Sequence, residues 1–275
     1  MILPLPGTFE RHTLRTRRGT VKALHHPAVN TRATVVMTCG YFGTKEDYRL
    51  VMPELAAAGY DCWAYDYVDQ FGGDGLSSAS DYEIALLADD LAELVDGRRV
   101  HYVGHCLGGL VARHAVLDAP GQALSLTLLC TGPHLRELRH KAMWLAVDKM
   151  LSDGGLMNLW PTVRRLLPKD DVILGEFWQN KLATMNHAFV QGTSLSMRAA
   201  PDLTEALRDS GVPVLTAYGS RDRRLWSQDT YHAMAERLGS REVVFKGAAH
   251  SPSLETPAET IAALLELWSS VEVPA

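Results

Sequence analysis

Short β-branched runs and helix-period segments alternate along the chain, stop alternating for about seventy residues, and then resume. The apolar runs are 33–38, 60–67, 99–104, 124–130, 212–218 and 242–245, and residues 9–25 read as an opening hairpin around Arg18-Gly19. Between them, helical spacing covers 45–58, 81–95, 107–117, 228–238 and 257–269, with Gly59 placed as a helix stop. Strands that alternate with helices imply a mostly parallel sheet covered on both faces, here of eight strands. From 134 to 204 the composition is helical, with Trp144, Trp160, Trp178 and several methionines interrupted by Pro161 and Pro168. The expectation is a core of residues 1–132 and 205–275 carrying a helical cap over 133–204. Such a cap would lie over the carboxyl edge of the sheet, where open α/β folds place their ligands.

Length and charge narrow the partner. With 275 residues, 47% of them apolar and 21% charged, the chain can bury a large core as one elaborated domain. A formal net charge of −5 argues against a nucleic-acid partner, and the basic run from Arg11 to Lys22 falls in the expected hairpin. No apolar stretch has the length to span a bilayer, and Met1–Pro6 is too short and proline-rich for the core of a signal peptide, so the expected setting is cytoplasmic. Cys39, Cys62, Cys106 and Cys130 show no CxxC spacing, and three of them lie in apolar runs as small buried residues do. The histidines 101, 114, 134, 140 and 187 lack metal-ligand spacing, so neither a metal nor a cofactor is expected.

At one strand-to-helix junction stands Gly104-His105-Cys106-Leu107-Gly108-Gly109. This resembles the nucleophile elbow of the α/β-hydrolase superfamily, G-x-S-x-G, with cysteine in place of serine. The spacing has a physical basis, because only small residues two positions either side of a strained turn let strand and helix approach so closely. His105 fills the variable elbow position and reads as structural. Two further segments match in the order nucleophile, acid, histidine: Gly219-Ser220-Arg221-Asp222 after one strand and Gly247-Ala248-Ala249-His250 after the next. The resemblance thus implies Cys106 as nucleophile, His250 as base and Asp222 as the orienting acid. The superfamily's other acid position follows the strand before the cap, where this chain has Thr131-Gly132-Pro133. Cys39-Gly40-Tyr41-Phe42-Gly43 is similar to the family's His-Gly-x-x-Gly loop, which makes the backbone N–H groups of Tyr41 and Leu107 the implied oxyanion hole. Cys39 stands where the family has histidine.

Arg221, Arg223 and Arg224 form either a solvated loop or a contact for an anionic substrate. A cysteine at the start of a helix, beside a histidine, favours the thiolate, and its acyl intermediate is a thioester that passes readily to amines or thiols. The same exchange of serine for cysteine occurs in dienelactone-hydrolase-like enzymes and in some thioesterase domains of polyketide assembly lines. The resemblance therefore implies covalent acyl chemistry, hydrolysis or transfer, on a small apolar ester, thioester or lactone, free or linked to CoA or a carrier protein. A second reading is a lyase in which the same pair removes a proton as a carboxylate such as acetate leaves, as in tetronate-type polyketide pathways. A third is a ligand receptor with the hydrolase fold and no chemistry.

Overall fold

The computed structural model describes residues 3–6, 8–71, 76–135, 144–146, 148–149, 152–153, 155–166 and 171–271, without the side chains of 162 and 166. Eight strands form one sheet: β1 (Glu10–Thr16), β2 (Gly19–His26), β3 (Ala33–Thr38), β4 (Tyr60–Tyr65), β5 (Val100–His105), β6 (Ala123–Leu129), β7 (Val214–Gly219) and β8 (Arg241–Phe245). Their order is β1-β2-β4-β3-β5-β6-β7-β8. Pairing is parallel from β4 through β8, and the β1–β2 hairpin joins the β4 edge antiparallel. The expected eight-stranded, mostly parallel α/β-hydrolase sheet is therefore present, with the hairpin at one edge.

Side chains of a strand point alternately to the two faces, so a sheet covered on both sides needs apolar residues at every position. In β3, Val35 and Met37 pack on one face and Val36 on the other. The first face is covered by α1 (Met52–Ala57) and, after the last strand, by α10 (Pro257–Val271), with Leu55, Leu264 and Trp268 buried against Tyr60. The second is covered by α2 (Ile84–Val95) and α3 (Leu107–Asp118), through Leu91, Leu110 and Val111. Between β6 and β7 the chain runs through α4 (Trp160–Leu166), α5 (Val172–Thr184), α6 (His187–Ala199) and α7 (Thr204–Asp209). Helix α8 (Gln228–Leu238) and the short α9 (Pro252–Glu255) flank β8. Part of the expected cap, residues 136–143 among it, and residues 72–75 of the expected loop lie outside the described residues.

The structure corrects one element. Residues 45–58 were expected as a single helix, yet 45–48 form a 3₁₀ turn capped by Thr44 and Asp47, and α1 begins only at Met52. Pro53 in the first turn of α1 explains the break: it has no N–H to donate backwards and its ring clashes with a preceding helical turn. Gly59 ends the segment at φ +96°, a conformation open to glycine at little cost.

Candidate active site

Cys106 sits between β5 and α3 with φ +53°, which is rare for a residue bearing a Cβ. Three hydrogen bonds hold it there. Its N–H donates to the Leu129 carbonyl at 2.9 Å, and its carbonyl accepts from Gly109 N–H at 3.1 Å and from the Thr131 hydroxyl at 3.0 Å. The flanking glycines are a packing requirement, since a Cβ on Gly104 would lie 2.5 Å from the Gly109 Cα and one on Gly109 would strike the Thr131 side chain. The outcome is a side chain at the N-terminus of a twelve-residue helix, aimed off the carboxyl end of the sheet. Gly109 N–H closes the first turn onto Cys106, so Leu107 N–H is among the first donors of α3, which have no partner four residues back.

His250 and Asp222 converge on the same place from the loops after β8 and β7. His250 Nδ1 lies 2.9 Å from Asp222 Oδ2, and the fully buried aspartate also accepts the Tyr231 hydroxyl at 2.8 Å and Arg224 N–H at 3.1 Å. Burial works against the charged carboxylate, but these donors, His250 foremost, hold Asp222 below the ordinary carboxylate range. Burial likewise opposes a charged His250. The neighbouring Cys106 and the hydrogen bonds to Asp222, Cys106 and Cys130 overcome it and set His250 well above its ordinary value. Cys106, His250 and Asp222 are thus brought together.

Two residues that the sequence placed as structural lie against this group. His105 Nε2 is 2.6 Å from the His250 carbonyl. Burial, and then the charge on His250, push His105 down to about 3, so its ring is neutral and Nε2 must carry the proton it donates. Cys130, expected as filler within a strand, instead directly follows β6 at φ +49° beside His250, its sulfur 3.9 Å from the Ala249 carbonyl. Burial raises its thiol to about 11. Sequence spacing could not show that His105, Cys130 and His250 place their ligand atoms within 4.8 Å of one another. With His105 Nε2 and His250 Nδ1 already engaged, the cluster reads as a hydrogen-bonded one. A second cluster, Glu10 with His12 and His25, lies on the β1–β2 hairpin, away from this site.

Cys106 opens into a cavity of about 330 Å³ lined also by Tyr41, His250, Trp144, Trp178 and Lys181. Another cavity, of about 240 Å³ between the hairpin and α2, holds none of the site residues. The loop carrying Tyr41 is closed by Gly43 N–H donating to the Gly40 carbonyl at 2.8 Å, and Tyr41 Oη ties it to the Val190 carbonyl of α6 at 2.8 Å. Cys39 is buried, and the Tyr67 hydroxyl donates to its carbonyl at 2.8 Å, supporting the loop. Of the three arginines, Arg221 and Arg223 are exposed and Arg224 reaches the cavity wall. Tyr231 and Lys181 had no signal in the sequence, because each is one of several polar residues in its helix.

Comparison with known proteins bears on the family and the fold. Over 205 residues the chain is 26% identical to a pimeloyl-[acyl-carrier protein] methyl ester esterase of Aeromonas salmonicida, covering 70% of this chain and 78% of that protein. Over 239 residues it is 27% identical to the enzyme of the same name from Neisseria meningitidis serogroup B, covering 84% and 90%. A thermophilic esterase from Thermogutta terrifontis superposes with a TM-score of 0.77 at 19% identity, covering 97% of this chain and all of that one. Among the described residues no helix is long and apolar enough to cross a membrane. The family model for the alpha/beta hydrolase family matches residues 35–264, and the chain belongs to that family.

Proposed function

We propose that this enzyme is an esterase-type acyl hydrolase or transferase in which Cys106, His250 and Asp222 act as a triad on a small ester or thioester. The observation that carries the reading is that hydrogen bonds join the Tyr231 hydroxyl, Asp222 and His250, and that His250 and Cys106 line the same cavity as electrostatic neighbours. The Cys106 sulfur attacks the substrate carbonyl carbon, forming a C–S bond, while the carbonyl electron pair moves onto oxygen. That oxyanion is stabilised by the N–H groups of Leu107 and Tyr41. When the pair returns, the C–O or C–S bond to the leaving group breaks and His250 supplies its proton. Water, or an acceptor amine or thiol, then loses a proton to His250 as it attacks the thioester, and Cys106 is released. Asp222 keeps the imidazole in the tautomer and orientation that both half-reactions need. The likeness to pimeloyl-[acyl-carrier protein] methyl ester esterases supports an ester substrate, including one carried on a protein.

Intact-mass spectrometry after mixing with hexanoyl-N-acetylcysteamine tests this reading. The expected result is a hexanoyl adduct that maps to Cys106 and is absent in Cys106→Ala, with Cys106→Ser turning over roughly 10²-fold or more slowly. Turnover with no adduct on Cys106, and with wild-type rate in Cys106→Ala, would refute it. Release of acetate from a β-acetoxy carbonyl compound without any adduct would assign the same residues to elimination instead.

A further inference from the structure

Lys181, on α5, is only 3% exposed, and what it exposes faces the cavity that holds Cys106. Its ammonium lies 3.9 Å from the centre of the Trp178 ring, itself a lining residue, and 5.9 Å from that of Phe177. Among the described residues it makes no hydrogen bond and no ion pair within 4.0 Å. The acidic groups nearest in electrostatic effect are Asp47, Asp66 and Glu46. Asp66 and Glu46 already hold Lys45 at 2.6 and 3.0 Å. Asp47, also on the cavity wall, accepts Thr44 N–H at 3.0 Å, and its burial pushes its carboxyl above the ordinary range, which weakens it as a counter-ion. Burial without a paired carboxylate holds the Lys181 amine below its ordinary range, and an anion bound beside it would restore the charge.

Resting on the reading of Cys106 as acyl acceptor, we propose that Lys181 binds a carboxylate carried by the acyl group, so that the preferred substrates are esters or thioesters of dicarboxylic acids. The scissile carbonyl would lie at Cys106 and the free carboxylate at Lys181, with the intervening methylenes against Trp144 and Trp178. A cavity of about 330 Å³ is about 7 Å on a side, room for a short acyl chain. The phosphate of a pantetheine arm is separated from the thioester by the whole length of that arm and would lie outside this space.

The test compares mono(4-nitrophenyl) adipate with 4-nitrophenyl hexanoate, six-carbon acyl groups that differ at the far end. The ratio of their kcat/KM values is expected to favour adipate by roughly 10- to 10²-fold, and to fall toward unity in Lys181→Met and Lys181→Gln while Lys181→Arg retains part of it. A second readout is thermal unfolding: removal of an unpaired buried charge should leave Tm unchanged or raised in Lys181→Met. A ratio near unity in the wild type, or a marked fall of Tm with an unchanged ratio, overturns the proposal and makes Lys181 a structural partner of Asp47. Hexanoyl-phosphopantetheine and hexanoyl-N-acetylcysteamine form a further pair. Loss of preference between these in Lys181→Met, with none between the adipate and hexanoate esters, would place the anion on the leaving group and also overturn it. If neither nitrophenyl ester acylates Cys106, the triad reading fails. If both acylate it without preference, only the role of Lys181 does.

Discussion

His105 donates from Nε2 to the backbone carbonyl of His250 across 2.6 Å, so the residue before Cys106 holds the loop that carries the histidine. The two rings are 4.9 Å apart, and the neutral state of His105 follows from its burial and from the charge on its neighbour. The turn that strains Cys106 and the loop that positions His250 are therefore tied by one hydrogen bond.

Breaking that bond should loosen the histidine without removing any group that reacts. In His105→Leu, kcat is expected to fall roughly 10- to 10²-fold with little change in KM, because a buried carbonyl is left unpaired. The limb of the pH–rate profile that His250 sets should move as well. His105→Gln, whose amide can donate to the same carbonyl, should recover most of the rate. Equal losses in both variants with an unmoved profile would mean a packing role only.

Asp222 is held by three donors, and the two that meet on Oδ2 are His250 and Tyr231. Asp222→Asn is expected to cost roughly 10- to 10³-fold in the chemical step, since the amide can present N–H₂ and stabilise the wrong imidazole tautomer. Tyr231→Phe, which removes one donor and leaves the carboxylate, should cost less, about tenfold. Single-turnover rates with circular dichroism on each variant check both. A larger loss in Tyr231→Phe than in Asp222→Asn would show that the assignment is wrong.

Iodoacetamide at one equivalent should label Cys106 ahead of the other thiols. Cys39, Cys62 and Cys130 are fully buried, and burial raises each thiol, Cys130 to about 11. Only Cys106 faces the cavity. Peptide mapping that finds Cys62 or Cys130 modified first would contradict this order.

The histidine–aspartate pair also predicts a pH dependence of stability. His250 titrates above its ordinary 6.5 in the folded protein, so its stabilisation is complete below about pH 6.5 and is lost as pH rises through the folded value. Asp222 titrates below its ordinary 3.8, so its contribution is present above about pH 4 and is lost as pH falls through the folded value. The stability gap between wild type and His250→Gln should be widest between those limits and shrink in alkali, as read by urea unfolding across the range. A gap that widens with rising pH would contradict a raised His250.

What the sequence determined by itself is the set of local relationships. Alternation of β-branched runs with helix-period segments defined the sheet, because side-chain period and burial on both faces are properties of short stretches. The elbow from Gly104 to Gly109 was legible for the same reason, a tight turn leaving few residue types that fit. Even the break before α1 had a local cause in Pro53, whose effect the periodic spacing of Tyr48, Val51 and Leu55 masked. The tertiary structure decided what distant segments do to one another. The hydrogen bond from His105 to the loop 145 residues later, the place of Cys130 under His250, the Tyr231 hydroxyl on Asp222 and the unpaired ammonium of Lys181 each depend on two or more segments meeting in space. Charge, desolvation and hydrogen bonding act over a few ångströms whatever the separation along the chain, so no spacing rule could have shown them.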